Sequence, residues 1–130
     1  MTSYRARPYE QFNFLIDLGP KEGQGRHGGF QEVSGVRNIK RLNKSTDITL
    51  KRGVIASAAL QDWLDEIRRD GQRAKRTVTI RQQDEEHHTV HIWKLLRARI
   101  IKHVSGPLNA KGTDVAMEEL VLAYERLELE

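Results

Sequence analysis

The residues whose types could most readily do chemistry together are His87, His88 and His91. A metal ion shared by His87 and His91 would need both side chains on one side at short range. On an extended chain they share a side but stand roughly 13 Å apart at a rise of about 3.3 Å per residue. The segment Thr89-Val90-His91-Ile92-Trp93 is poor helix material, so the histidines read as solvent-facing groups at a turn. His27 and His103 have no close partner in sequence. Cysteine is absent, which removes thiol catalysis, disulfides and cysteine-ligated zinc together. Asp62, Asp65 and Glu66 fall on the outer side of a predicted helix, where solubility and pairing with Arg69 explain them. Glu118 and Glu119 would point to opposite sides of a regular strand, a poor acid and base pair. Ser45, Ser57 and Ser105 stand in no nucleophile elbow. The glycines at 23, 25, 28 and 29 are not closed by Gly-Lys-Ser or Gly-Lys-Thr, so they form no phosphate cradle. No catalytic, cofactor-binding or metal-ligating residue is assigned, and the chain is expected not to be an enzyme and to take no small-molecule substrate.

Charge placement says more than the formal net charge of +4. Between Arg37 and Arg52 six basic residues (Arg37, Lys40, Arg41, Lys44, Lys51, Arg52) face one acid, Asp47. Between Leu108 and Glu130 six acids (Asp114, Glu118, Glu119, Glu125, Glu128, Glu130) face Lys111 and Arg126. Nucleic acid would use such a basic patch for phosphate contacts. Head-to-tail stacking of identical subunits would use it as well, a basic surface meeting an acidic one. No zinc finger, aromatic RNA platform or glycine-bracketed loop accompanies the charge, which weighs against nucleic acid.

The elements that carry these residues are mostly strands. Phe12, Phe14, Ile16 and Leu18 alternate with Asn13 and Asp17 at the two-residue period of a half-buried strand, which breaks at Gly19-Pro20. Lys21 to Gly29 is polar and glycine-rich. Phe30 to Val33 is a short strand before the Ser34-Gly35 turn. In the basic stretch Arg37 to Lys44 the spacing of Val36, Ile39 and Leu42 leaves strand and short helix unresolved. Ile48-Thr49-Leu50 is the next strand, ending at Lys51-Arg52-Gly53. One helix follows. Ser57 is placed to cap it, Leu60, Trp63, Leu64 and Ile67 share a face, Arg68 and Arg69 suit its last turn, and Gly71 ends it. Arg76 to Gln82 turns Val78 and Ile80 inward. Thr89 to Leu96 is apolar on both faces from Ile92 onward and so needs two covers. Asp84-Glu85-Glu86 links these two at hairpin length. Arg97 to Val104 is a further strand. From Asp114 to Leu127 the apolar parity switches at Glu118-Glu119, so an extra residue there, as in a bulge or bend, is needed to keep Val115, Met117, Leu120, Leu122 and Tyr124 on one core. The result is about seven strands with one helix after about the fourth. The expected core is Phe12, Phe14, Ile16, Leu60, Trp63, Leu64, Ile67, Val78, Ile80, Ile92, Leu120 and Leu122.

At 130 residues the chain fits one domain with a modest core. Residues 1–10 are expected to form a flexible N-terminal segment that a neighbour orders. No apolar run approaches the length of a spanning helix, and none follows the basic start as a signal peptide would require, so synthesis in the cytoplasm is expected. A particle assembled inside a cell can still be released and work outside it.

Pro8-Tyr9, Phe12-Asn13-Phe14, Phe30-Gln31-Glu32-Val33-Ser34-Gly35, Ile48-Thr49-Leu50-Lys51-Arg52-Gly53, Trp63, and Leu108-Asn109-Ala110-Lys111-Gly112 with Val115-Ala116-Met117-Glu118-Glu119-Leu120 together resemble the tail tube protein family of contractile phages and extracellular injection particles. They follow the family's order over nearly the whole chain. The resemblance implies a mainly β fold of two packed antiparallel sheets, a barrel or sandwich, with one flanking helix. It implies a structural subunit of an inner tube: hexameric rings that stack around a channel, with sheath and baseplate hub proteins as partners and protein effector or DNA in the lumen. It places the working site in a phage virion or a released injection particle. Arg37, Lys40, Arg41 and Lys44 are then candidates for inter-ring or lumen contacts. Only Val36 to Ile48 separates the Ser-Gly turn from the Thr-Leu-Lys-Arg-Gly strand, shorter than the family's usual arm. That leaves open a specialised ring that initiates the tube or joins it to the baseplate. A monomeric β-sandwich binding module is the other alternative.

Overall fold

The computed structural model describes residues 11–19, 27–35, 46–108 and 114–129. The candidate contacts Arg37, Lys40, Arg41 and Lys44, together with residues 1–10, lie outside the described residues. Among those described, the order is β1 (Phe14–Asp17), β2 (Gly28–Ser34), β3 (Thr46–Ala56), α1 (Ser57–Asp70), a 3-10 turn (Gly71–Arg73), β4 (Arg76–Gln83), β5 (Thr89–Leu108), β6 (Asp114–Tyr124) and β7 (Arg126–Leu129). Among the described residues the helix therefore follows the third strand, and the Arg37 to Lys44 stretch, left open between strand and short helix, lies outside them. The two strands expected between Thr89 and Val104 are one long strand, β5.

The expectation of two packed sheets is corrected. The strands form one antiparallel sheet in the order β4-β1-β2-β3-β6-β5-β7, and β4 also pairs with β5, which closes six strands into a barrel. The length of β5 is the physical reason. Its first part pairs with β4, from Gln83↔Thr89 to Arg76↔Ala98, and its second with β6, from Arg99↔Ala123 to Leu108↔Val115. One strand long enough to hold both neighbours removes the need for a second sheet.

Closure requires bends, and the side-chain parity shows where they fall. Between Arg76↔Ala98 and Val78↔Leu95, β5 holds one residue more than β4, and Arg97 there has φ 56°. This bulge moves the inward parity from Trp93 and Leu95 to Ala98. A second line of bends crosses three strands. On β6 the pairing passes from Val104↔Glu119 to Ser105↔Met117, so Glu118 is the extra residue. This is the switch that the sequence placed at Glu118-Glu119, and Val115, Met117, Leu120, Leu122 and Tyr124 all lie in the core. On β3 the same line falls at Arg52, with φ 57°, between Lys51↔Glu119 and Gly53↔Met117. On β2 it falls at Gln31, between Phe30↔Gly53 and Glu32↔Lys51. The ring of Phe30 fills the space over Gly53. A Cβ there would stand 2.0 Å from the Gly29 carbonyl oxygen and 2.6 Å from the Phe30 ring, so only glycine lets the strands and ring approach this closely.

Ile16, Leu60, Trp63, Val78, Ile80, Leu120 and Leu122 are buried in one cluster, with Phe14, Leu64 and Ile67 half-buried against it. Phe12 is half-buried, its ring over Gly29. Ile92 is only half-buried and lies outside the cluster, where Trp93 and Leu95 sit instead. Trp93 and Leu95 stand opposite buried Ile80 and Val78, so the inward parity of β5 before its bulge is odd.

The helix joins the same core through Leu60 and Trp63. Ala56, not Ser57, is the N-cap residue, and no side-chain cap bond is made there. Gly71 ends the helix at φ 60°, donating its N–H to the Ile67 carbonyl. Arg76 fixes the helix to the barrel. It shares parity with Val78 and Ile80 and is 5% exposed in its side chain. Its guanidinium donates to Glu66 at 2.9 Å, to Asp62 at 3.2 Å and to the Leu18 carbonyl at 3.4 Å, and lies 5.5 Å from the Trp63 ring centre. The Trp63 indole in turn donates to the Ala74 carbonyl at 2.9 Å. Asp62 and Glu66 therefore serve Arg76, while Asp65 pairs with Arg68 at 3.1 Å. No helix among the described residues is long and apolar enough to cross a membrane.

Candidate assembly interface

Among the described residues the outer side of β7 has no partner strand, and two further lengths of open edge flank one wall of the barrel. β5 pairs with β4 only up to Ala98, so from Arg99 onward that side has no strand beside it among the described residues. β2 pairs with β1 only from Gly28 to Phe30, so Gln31 to Ser34 is likewise open on the β1 side. Between these edges lie β3 and β6, giving a four-stranded wall in the order β2-β3-β6-β5. Residues 101–105 of β5 are exposed on both faces. Ile101 at 41% and Val104 at 39% expose large apolar surface here. An unpaired edge presents a row of backbone donors and acceptors, and apolar side chains on it invite another strand rather than repel one.

The register places the outer face of this wall in rows. One row runs Glu32↔Lys51↔Glu119↔Val104 and the next Ser34↔Thr49↔Val121↔Lys102. The charges this face carries are Glu32 on β2, Asp47, Lys51 and Arg52 on β3, Glu118 and Glu119 on β6, and Arg99 and Lys102 on β5. Arg52 pairs with Glu32 across one boundary, and Lys102 with Glu119 at 3.2 Å across another. All four side chains retain solvent access, so each pair contributes no more than about 1 kcal/mol to folding.

The remaining polar groups have structural explanations. Asp84, Glu86 and His88 bring ligand atoms within 4.8 Å of one another at the exposed β4–β5 turn. The Asp84 carboxylate accepts the backbone N–H groups of Glu86 and His88, both at 2.9 Å. The His88 bond, foremost, holds its pKa below the ordinary 3.8. This is a side-chain-closed turn, with His87 at φ 70°, and all three groups are exposed. His91 stacks on Trp93 at 5.6 Å. His27 accepts the Leu18 N–H at Nδ1, 2.8 Å away, beside buried Asp17, whose carboxylate accepts from Gly19; the group braces the chain where β1 ends and β2 begins. Ser105 donates to the Met117 sulfur at 3.7 Å. Glu125, between β6 and β7, accepts from Lys75 at 2.6 Å and Arg97 at 2.9 Å. The Lys75 bond, first, and then Arg97 hold its carboxyl below the ordinary 4.5.

A family model described as T4-like virus tail tube protein gp19 matches residues 26–128. The chain belongs to the T4-like tail tube protein family. Members are structural, non-enzymatic tube proteins. The fold is also that of a chain in the PVC extracellular contractile injection system, solved as a sheath-tube complex in the extended state. That match has 21% identity and a TM-score of 0.56, covering 100% of this chain and 97% of the other. The same system's sheath/tube terminator matches at 20% identity and 0.56, over 91% and 93% of the two chains. The tube-terminating cap of the anti-feeding prophage matches at 16% and 0.55, over 95% and 91%. No curated protein sequence matches.

Two features of this tail tube fold escaped sequence reading. Arg76 has the inward parity of Val78 and Ile80, and an inward arginine demands carboxylates; Asp62 and Glu66 are spaced on the helix to supply them. The open edge of β5 had no such signal, because alternation shows which face is buried but not where a neighbouring strand stops.

Proposed function

We propose that the chain is the structural subunit of the inner tube of a contractile tail or injection system, closing as hexameric rings that stack around a central channel. Membership of the tail tube family carries this reading, and the two open edges of the β2-β3-β6-β5 wall support it. Sheet edges that remain open in a monomer are consumed when head-to-tail pairing closes a ring. Adjacent rings, sheath and baseplate hub proteins are the partners, and protein effector or DNA is the cargo. The subunit is made in the cytoplasm and works in a virion or released particle. Arg37, Lys40, Arg41 and Lys44 remain candidates for contacts between rings or with the lumen. Negative-stain microscopy with analytical ultracentrifugation tests this. Rings with a central hole and sixfold averages are expected, whereas a strict monomer at high concentration, even with the other particle components, would overturn it.

A second reading is a specialised ring that initiates or terminates the tube or joins it to the baseplate. The fold likeness to a terminator and to a cap, as close as that to the sheath-tube chain, favours keeping it. Self-stacking separates the two: a repeating subunit elongates alone, whereas a specialised ring stops at one layer.

A further inference from the structure

We infer that His27 is a proton-operated hydrogen-bond switch: uncharged, its Nδ1 holds the Leu18 N–H, and once protonated the same atom turns to the Asp17 carboxylate and releases Leu18. The inference does not depend on the ring reading above.

At the end of β1, Nδ1 stands between two groups of opposite demand. It accepts the Leu18 N–H at 2.8 Å and lies 3.4 Å from Asp17 Oδ1. An imidazole nitrogen accepts only through a free lone pair, so in this state the ring proton is on Nε2. A second proton, taken from solvent, goes to Nδ1 and makes it a donor. Two donors then face each other at 2.8 Å, and the carboxylate oxygen becomes the matching acceptor. Closing that gap to the roughly 2.7–2.9 Å of a charge-assisted bond needs a small ring movement and no flip. Burial gives the exchange its weight. The Asp17 side chain is 3% exposed, so a cation beside it counts for more than in water, while His27 at 24% keeps access to protons. Leu18 is buried as well, so bulk water does not take up an N–H that has lost its acceptor.

Four elements meet at this junction. The His27 N–H donates to the Ile16 carbonyl at 2.8 Å, and its carbonyl accepts at 2.7 Å from Ala56, the residue before α1. Asp17 Oδ1 also accepts the Gly19 N–H at 2.9 Å, where the chain turns with φ 70°. The Leu18 carbonyl accepts from Arg76, whose guanidinium holds Asp62 and Glu66. The charged groups facing the junction among the described residues are therefore Asp17 on β1, Arg76 on β4, and Asp62 and Glu66 on α1. Asp114 on β6 lies one strand further, opposite Ala56. The Leu18 peptide is thus gripped at its N–H by His27 and at its carbonyl by Arg76. Acid removes the first grip and leaves the second, which loosens the end of β1 while the helix stays anchored.

Histidine changes charge between about pH 5 and 8, so NMR of the chain at the two ends of that range reads both states. Ring-nitrogen shifts are expected to show the Nε2–H tautomer at the alkaline end and double protonation at the acid end. Leu18 amide protection, corrected for the intrinsic exchange rate at each pH, is expected to fall about tenfold, the weight of one hydrogen bond. Protection across β6 should not change. His27→Asn puts an amide oxygen where Nδ1 stood and takes up no proton, so its Leu18 amide should stay protected at both ends. A proton on Nδ1 at the alkaline end would overturn the inference, as would a His27 that stays uncharged at the acid end. So would protonation of His27 with Leu18 protection intact, or an equal acid loss of protection in His27→Asn. If that variant does not fold, the wild-type tautomer and the wild-type Leu18 protection decide the matter by themselves.

Discussion

Where β5 runs beside β4, Trp93, Leu95 and Ala98 are buried in the core; further along the same strand, residues 101–105 are exposed on both faces. The first region is enclosed by strands on both sides, and the barrel there is held to the helix by Arg76 and Trp63. The second has β6 on one side and nothing described on the other. The difference separates two tasks along one strand. The enclosed part commits its hydrogen bonds and apolar area to the monomer. The open part keeps both available, at little cost to folding, for a surface outside the monomer.

If that division holds, damage to the enclosed region should appear as lost stability and damage to the open flank as lost assembly. The largest effect is expected at Trp63, which is fully buried and both donates to Ala74 and underlies Arg76. Trp63→Ala should cost about 3–5 kcal/mol in denaturant unfolding. A loss below about 1 kcal/mol would mean that the helix is not part of the barrel's core. Next is Gly53→Val, where the new side chain meets the Gly29 carbonyl and the Phe30 ring. The expected loss is about 1–3 kcal/mol from overpacking, read by the same unfolding midpoint. A neutral result would show that β2 and β3 can separate at the line of bends.

These positions also mark how far the sequence could be read. The helix with its Leu60 and Trp63 face, and the phase switch at Glu118-Glu119, were legible because each is a local departure in periodicity. The companion bends at Gln31 and Arg52 were not, although Phe30 and Val33, three apart, carry the same odd spacing. On so short a strand that spacing passes for an end. Ile92 was assigned inward because Ile92 to Leu96 is apolar at nearly every position, so parity had nothing to alternate against. Barrel closure was illegible for a different reason. It depends on β4 meeting β5 on the side away from β6, a long-range pairing that periodicity does not encode. The basic candidates at 37–44 fall outside the described residues, and only the assembly experiments address them.

On the open flank the expected pattern reverses. Val104→Lys replaces an exposed apolar side chain on the β5 edge with the residue that most often protects such edges from pairing. Monomer stability should stay within about 0.5 kcal/mol, while sedimentation shows rings replaced by monomers. Loss of stability with assembly intact would invert the assignment of the two regions.

The smallest effect lies at the boundary between them. Glu125 interrupts β6 and β7, yet both sides keep one register on β5, from Arg99↔Ala123 to Leu96↔Arg126. The Glu125 N–H donates to the Leu96 carbonyl at 3.0 Å, beside the Arg97 bulge. Its carboxylate, held by Lys75 and Arg97, is thus the charge contact at the point where β5 passes from its enclosed to its open part. Because the folded carboxyl sits below its ordinary 4.5, its contribution is fully present above the unfolded value and disappears as pH falls through the lowered folded one. A carbon-13 NMR titration should place the Glu125 midpoint below that of a free glutamate, and Lys75→Met should move it upward. In thermal unfolding the deficit of Glu125→Gln should be largest near neutrality and close in acid. A midpoint at the ordinary glutamate value, unmoved by Lys75→Met, would mean that the bulge is set by backbone pairing alone.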